Sequence, residues 1–278
     1  IAFYMHKGSD NTFNSGDYIL FYARGTVKWE YSGGRWRHTQ HPYSLYGYYF
    51  VSDSNKKQKL LTETEPLDSD GAYTVDWNLE YMVHERDSFN LVDRSGVSGG
   101  GREFYGETLH ANKPKLTITF PTENVLKDKT MACFVDVAAT SSQATRIHID
   151  MAGAKATASI VPISVSDFYT KAERDSVFLS GNAVSTGSQQ VTLTFENTVS
   201  GSTGFLNYVE LNVPTALRMR DNELTISNVS HLNSNNNTKF LLSNATTSTQ
   251  IWRVTDGVNI EKMSTTWNND TLIWVGSN

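Results

Sequence analysis

Cysteine is almost missing from this chain. A single Cys133 in 278 residues excludes an intrachain disulfide framework and any cysteine-based zinc knot. Long apolar runs are missing too. None approaches the ~18 residues a spanning helix requires, so no membrane insertion is expected. Basic charge shows no surplus, with 24 Lys+Arg against 29 Asp+Glu. A chain of that balance is not built to grip a phosphate backbone, and no nucleic-acid partner is expected. The histidines, His6, His38, His41, His84, His110, His148 and His231, fall at no metal-binding spacing. No Walker loop occurs. The sequence supplies no self-sufficient active site, so neither an enzyme nor a cofactor is expected here.

Enough apolar sequence is present for a folded protein. Hydrophobic residues make up 38% and charged residues 19%, and the length suits one large all-β domain or two ordinary ones. The chain begins at Ile1, inside an apolar stretch, without an initiator Met or a signal peptide. That beginning reads as a piece excised from something longer.

Period-2 alternation dominates. Across residues 72–85, Tyr73, Val75, Trp77, Leu79, Tyr81 and Val83 occupy every second place, between polar Thr74, Asp76, Asn78 and Glu80. Only a strand separates those two sets onto opposite faces, and one long strand is predicted. Shorter alternations follow at Leu116/Ile118/Phe120, Cys133/Val135/Val137, Ile147/Ile149/Met151, Val191/Leu193/Phe195 and Val209/Leu211/Val213, separated by Gly-, Asn- and Ser-rich breaks. The fold class is all-β. A soft boundary falls where the glycine loop at 95–101 and the proline-terminated segment at 110–114 precede a fresh strand. This predicts an aromatic-rich β module over 1–110 and a jelly-roll-like β-sandwich over 111–278.

Three local features bear on chemistry. Cys133 shares the parity of Val135 and Val137, which places it on an inward strand face, where burial raises a thiol pKa and suppresses the nucleophilic thiolate. The acidic turn at 10–17 sets Asp10, Asn14 and Asp17 close together as candidate calcium ligands. It departs from an EF-type loop, because Ser15 stands where glycine is required, and an Asx-rich hairpin turn leading into the next strand accounts for it without a metal. The aromatic-basic stretch over 22–49 contains Trp29, Tyr31 and Trp36, which could form a stacking platform for sugar rings or could be ordinary cross-strand packing.

Several segments together resemble one family. Asn11-Thr-Phe-Asn14 with Gly16-Asp-Tyr-Ile-Leu-Phe-Tyr22, then Lys28-Trp29 and Tyr43-Ser-Leu-Tyr-Gly-Tyr-Tyr-Phe50, are similar to the opening of PorU-type proteins. These are gingipain-family cysteine peptidases that act as the sortase of type IX secretion in the Bacteroidetes. His84-Glu-Arg-Asp-Ser-Phe-Asn-Leu91, Gly101-Arg-Glu-Phe-Tyr-Gly-Glu107, Gly204-Phe-Leu-Asn-Tyr-Val-Glu-Leu211 and Ile251-Trp-Arg-Val-Thr-Asp256 continue the resemblance in register. Phe104 takes the place of a tryptophan, and Arg253 that of an acidic residue.

The resemblance implies the non-catalytic β-rich region that precedes the peptidase domain, in a protein exported to the outer membrane or cell surface. Its partners would be that following domain, β-sandwich cargo signal domains or other components of the secretion system. The catalytic His and Cys would lie beyond residue 278, so neither Cys133 nor His148 is a candidate for them. A carbohydrate-binding module or adhesin using Trp29, Trp36 and Tyr31 is the alternative. Within residues 101–107, Arg102, Tyr105 and Glu107 are expected to be structural. Arg102 is suited to a bidentate carboxylate partner, with Glu85 or Glu107 nearest in sequence, and should lock the junction between the two modules.

Overall fold

The computed structural model describes residues 1–278 apart from 11, 53–58, 89, 92–102, 165–169, 185–186, 197–198, 232–233 and 278. Strands account for its regular structure, and no helix occurs among the described residues. In chain order the first are β1 (Phe3–His6), β2 (Tyr18–Phe21), β3 (Val27–Ser32), β4 (Arg35–Gln40), β5 (Thr62–Glu63), β6 (Tyr73–Val75) and β7 (Trp77–Glu85). Next come β8 (Thr108–Leu109), β9 (Lys115–Pro121), β10 (Thr130–Thr140), β11 (Thr145–Met151), β12 (Ala154–Ile160), β13 (Glu173–Asn182), β14 (Ser188–Glu196) and β15 (Thr203–Ala216). The last are β16 (Thr238–Ser243), β17 (Trp252–Val254), β18 (Ile260–Lys262), β19 (Thr266–Asn268) and β20 (Thr271–Gly276).

Two compact units emerge, each discontinuous in sequence. Ile1–Lys28, Ser44–Trp77 and Leu217–Asn278 form the first, and Trp29–Tyr43 with Asn78–Ala216 form the second. The expected boundary between 1–110 and 111–278 falls inside the second unit. The reason is sheet pairing: β7 and β8, from before residue 110, belong to the same sheet as β15.

The second unit is a β-sandwich. One sheet has the order β13-β10-β15-β7, with β8 on β15, and the other has the order β12-β11-β14-β9. Of the eight strands β7 and β9 to β15, the first sheet takes the sixth, third, eighth and first. The second sheet takes the fifth, fourth, seventh and second. That is jelly-roll order, as expected for an all-β chain that buries one face of each sheet. The alternating residues read from the sequence fill the space between the sheets: Ile118, Phe120, Cys133, Val135, Val137, Ile147, Ile149, Met151, Val191, Leu193, Val209, Leu211 and Val213 share one core. Each large aliphatic buried there contributes roughly 1.5–3 kcal/mol. A one-residue slip would turn a whole strand's set into solvent, which fixes the register.

The first unit holds the sheet β19-β20-β16-β6, the sheet β17-β18-β5 and the pair β1-β2. Its core gathers Leu217, Leu242, Ile251, Met263, Leu272 and Trp274.

The run at 72–85 is not one strand. It breaks at Asp76, whose carbonyl accepts from the Leu217 backbone N–H at 2.7 Å. Before the break β6 pairs with β16, and after it β7 joins the sheet of β15. In β7 it is Met82 that packs on the sandwich core. Tyr81 and, by the two-residue period, Leu79 and Val83 lie on the outer face.

Candidate functional site

The outer face of the β10-β15-β7 sheet carries a concentration of buried charge. It is built from β15, where Val209, Leu211 and Val213 point into the core, which sends Tyr208, Glu210 and Asn212 to the other side. Above them lies the β3-β4 hairpin. Its turn at Gly33 and Gly34 has φ of 61° and 82°, a conformation open to glycine and costly to most other residues.

The hairpin docks through side chains standing in for a strand edge. Asn212 Oδ1 accepts from the Trp36 backbone N–H at 2.6 Å, and its Nδ2 donates to the Trp36 carbonyl at 3.1 Å. Glu210 Oε1 accepts from the His38 backbone N–H at 2.8 Å and from its Nδ1 at 2.6 Å. The other oxygen of Glu210 accepts from Arg35 Nη1. His38 Nε2 reaches Glu85 Oε2 at 3.0 Å, and the Arg35 guanidinium lies 4.0 Å over the Phe134 ring. Two cations thus balance two anions.

Burial alone would push the His38 imidazole down, but its hydrogen bonds to Glu210 and Glu85 outweigh that and push the pKa up to about 9. Burial likewise opposes the Glu210 carboxylate, yet the His38 hydrogen bonds and the Arg35 charge hold it below the usual range. Beside them Gln40 Nε2 donates to Asp87 at 2.8 Å, and Asp87 is raised by burial and by Glu85.

The same face carries a second cluster. Arg174 grips Asp136 through Nε at 2.9 and 3.1 Å and through Nη2 at 2.9 Å, and its Nη1 reaches Glu103. The register between β10 and β15 shifts at Asp136/Val137. This bulge lets Asn207 Nδ2 donate to Asp136 Oδ1 at 3.1 Å.

The expected structural residues fall beside these clusters. Tyr105 is buried against Phe205, with ring centroids 6.0 Å apart, and burial pushes its hydroxyl up to about 12. Glu107 Oε1 meets His84 Nε2 at 3.0 Å and Arg86 Nη1 at 3.4 Å. Backbone bonds Gly106 N to Leu206 O and Leu206 N to Glu107 O fasten this segment to β15. A Cβ at Gly106 would stand 2.7 Å from the Arg86 carbonyl oxygen, so only glycine fits. Tyr105 and Glu107 make these contacts inside the second unit rather than at a junction near residue 110. Arg102 lies outside the described residues.

Trp29, Trp36 and Tyr31 sit on the hairpin, but not as a coplanar platform. Trp29 and Trp36 are half-buried and tilt against Tyr81 at 37° and 43°, with centroids at 4.4 and 5.1 Å. Tyr31 meets Trp36 edge-on at 63°. In the first unit, the candidate calcium residues spend their oxygens on one another and on the backbone. Asp17 accepts from Gly8 N and Asn14 N, both at 2.8 Å, while Asp10 accepts from Thr12 N at 3.0 Å and Asn14 Nδ2 at 2.8 Å. That is the Asx-turn geometry.

Cys133 is 1% exposed between the sheets, and burial pushes its thiol up to about 12. His148 lies on another strand, half-exposed, with Thr157 Oγ1 3.0 Å from Nδ1 and Glu196 Oε2 3.3 Å from Nε2. Chemically, the outer-face network is a clamp: an imidazolium fixed between two carboxylates has no lone pair to offer as a base. Sequence reasoning named Glu85 only as a candidate partner of Arg102, left Arg35 and His38 within the aromatic-basic stretch, and did not single out Asp136, Arg174, Glu210 or Asn212. The available signal was the shared polar parity of Glu210 and Asn212 inside an otherwise apolar strand.

No protein-family model matches the chain, and no curated protein matches it in sequence. Among solved structures, it is similar to dimeric latent PorU from Porphyromonas gingivalis, with a TM-score of 0.82 and 19% identity. That match covers 99% of this chain and 25% of the other, so the chain spans about a quarter of that protein's length. It shows the fold: an all-β arrangement of the PorU kind over the whole chain. A CBM36 carbohydrate-binding module in complex with calcium and xylotriose is 13% identical, with a TM-score of 0.27 over 37% of this chain and 77% of its own. A second CBM36 domain, from a xylanase of the Trinervitermes trinervoides hindgut metagenome, is 14% identical, with a TM-score of 0.29 over 48% of this chain and 96% of its own. Likeness that slight bears on neither sugar nor calcium.

Proposed function

We propose that this chain is the non-catalytic β-rich region of a PorU-type protein, preceding a gingipain-type cysteine peptidase domain. In this reading the parent is exported to the cell surface and serves type IX secretion. This region supports the peptidase domain and helps present cargo signal domains to it. The observation that carries the reading is the extent of the fold match: 99% of this chain against a quarter of the PorU chain. A shared jelly roll alone would align only the second unit.

Two further observations support it. Three of the segments that resemble the family touch one another, His84 meeting Glu107 while Gly106 and Glu107 bond to the Leu206 backbone. The single thiol is sealed between sheets, with a pKa far above neutrality, a poor nucleophile. The test is the continuation of the parent polypeptide past Asn278. An α/β domain carrying a paired His and Cys supports the reading. A different domain there, together with glycan-array binding by this chain, favours the carbohydrate-binding alternative.

A further inference from the structure

Strand β2 reads Tyr-Ile-Leu-Phe, apolar at both parities. A strand of that composition is made for burial on two faces, whereas one facing water alternates. Yet Tyr18, Ile19, Leu20 and Phe21 are exposed to 44, 42, 45 and 38%. Among the described residues β2 pairs with β1 alone, and no other described strand lies on its second edge. Open apolar edges invite pairing and are normally blunted by charge or proline. Neither occurs within β2.

Residues 45–51, Leu-Tyr-Gly-Tyr-Tyr-Phe-Val, extend this surface without one charged side chain. The segment is held in place. The Tyr49 ring lies 5.8 Å from Phe21, and its hydroxyl accepts from Arg24 N at 2.5 Å and donates to Arg24 O at 3.0 Å. A Cβ on Gly47 would lie 3.2 Å from the same carbonyl oxygen. So anchored, Tyr48, Phe50 and Val51 stand 78, 97 and 82% exposed. Together with β2, the exposed apolar area is on the order of 1,000 Å², against the few hundred usual on a monomer and the ~800 Å² per partner of a standard interface.

The absence of charge on β2 and on 45–51 selects an uncharged protein face as partner, not a polyanion. The unit that bears this surface also contains the last strands of the chain, β16 to β20. Any domain following residue 278 is therefore tethered to this unit, at the high effective concentration that outcompetes a free partner. Resting on the reading above, we infer that β2 and residues 45–51 form the seat on which the following domain of the longer protein packs, with a strand or apolar loop of that domain against the β2 edge.

Hydrogen exchange and tyrosine labelling of the 1–278 chain and of the longer protein test this. The expected result is at least tenfold slower amide exchange at residues 18–21, and loss of Tyr46 and Tyr48 labelling, in the longer protein only. Equal exposure in both proteins overturns the inference while leaving the reading of the parent intact. Protection in 1–278 alone that grows with its concentration assigns the face to a second copy. Protection by neutral phosphatidylcholine vesicles assigns it to a membrane. Either outcome overturns the inference. A polypeptide that ends at residue 278 overturns the reading and the inference together. The double variant Tyr48→Ser/Phe50→Ser should leave the Tm of 1–278 unchanged and make the longer protein more sensitive to protease; an unaffected longer protein contradicts the inference.

Discussion

Glu210 holds His38 twice. One carboxylate oxygen accepts both the backbone N–H, at 2.8 Å, and the imidazole Nδ1–H, at 2.6 Å, of the same residue. With Arg35 on its second oxygen, Glu210 is the point through which the β3-β4 hairpin is fastened to the sandwich. Replacing it takes the carboxylate from Arg35 and leaves His38 with Glu85 alone. Glu210→Gln should cost about 3–5 kcal/mol, the penalty for breaking a buried pair from one side. A urea titration of the variant against the parent chain measures it.

The pH dependence follows from His38, whose pKa is raised from 6.5 to about 9 by Glu210 and Glu85 against the opposing effect of burial. Its stabilisation is fully present below pH 6.5 and is lost as the pH rises through 9. The side chain is nearly inaccessible, and the difference corresponds to about 3 kcal/mol. The urea midpoint should fall between pH 7 and pH 10, and His38→Gln should flatten that fall. Glu210, held below its usual range, contributes stability that is lost only on acidification below that range.

Gly106 approaches the Arg86 backbone too closely for any side chain. Gly106→Ala should destabilise by about 1–3 kcal/mol through overpacking, read as a lower Tm. Arg102→Ala carries the expectation drawn from the sequence, a lower Tm without any change in ligand interaction. A stability-neutral Arg102→Ala would remove that residue from the structural account.

Cys133 should resist modification. A thiol reagent at pH 8 should label it only as fast as the chain unfolds, because the sulfur is enclosed and its pKa stands near 12. Rapid labelling in the absence of denaturant would contradict the core position.

Much of the fold was legible in the alternation. Cys133, Val135 and Val137, or Ile147, Ile149 and Met151, face the core because a half-buried strand can satisfy its apolar side chains in no other way. The same rule misleads at 72–85. There the period continues through Asp76, but the hydrogen-bond partner changes from β16 to the sheet of β15, and periodicity says nothing about partners. The division at residue 110 failed to locate the units for a related reason, since β7 reaches its sheet neighbour β15 across more than a hundred residues of sequence. The clamp was hidden further. Arg35, His38, Glu85 and Glu210 are ordinary polar residues on alternating strands, and only the fold shows that the face they share is covered. Trp29 and Trp36 were visible as aromatics, but their tilt against Tyr81 depends on where the hairpin lies.

On the proposed reading, this region carries no catalysis and supports a domain that does. Rates of peptide hydrolysis by the 1–278 chain, by the complete parent protein and by the parent bearing Cys133→Ala test it most directly. The account predicts no hydrolysis by 1–278, and an unchanged rate in the parent when Cys133 is replaced. Hydrolysis by 1–278 alone, or a parent silenced by Cys133→Ala while still folded, would contradict it.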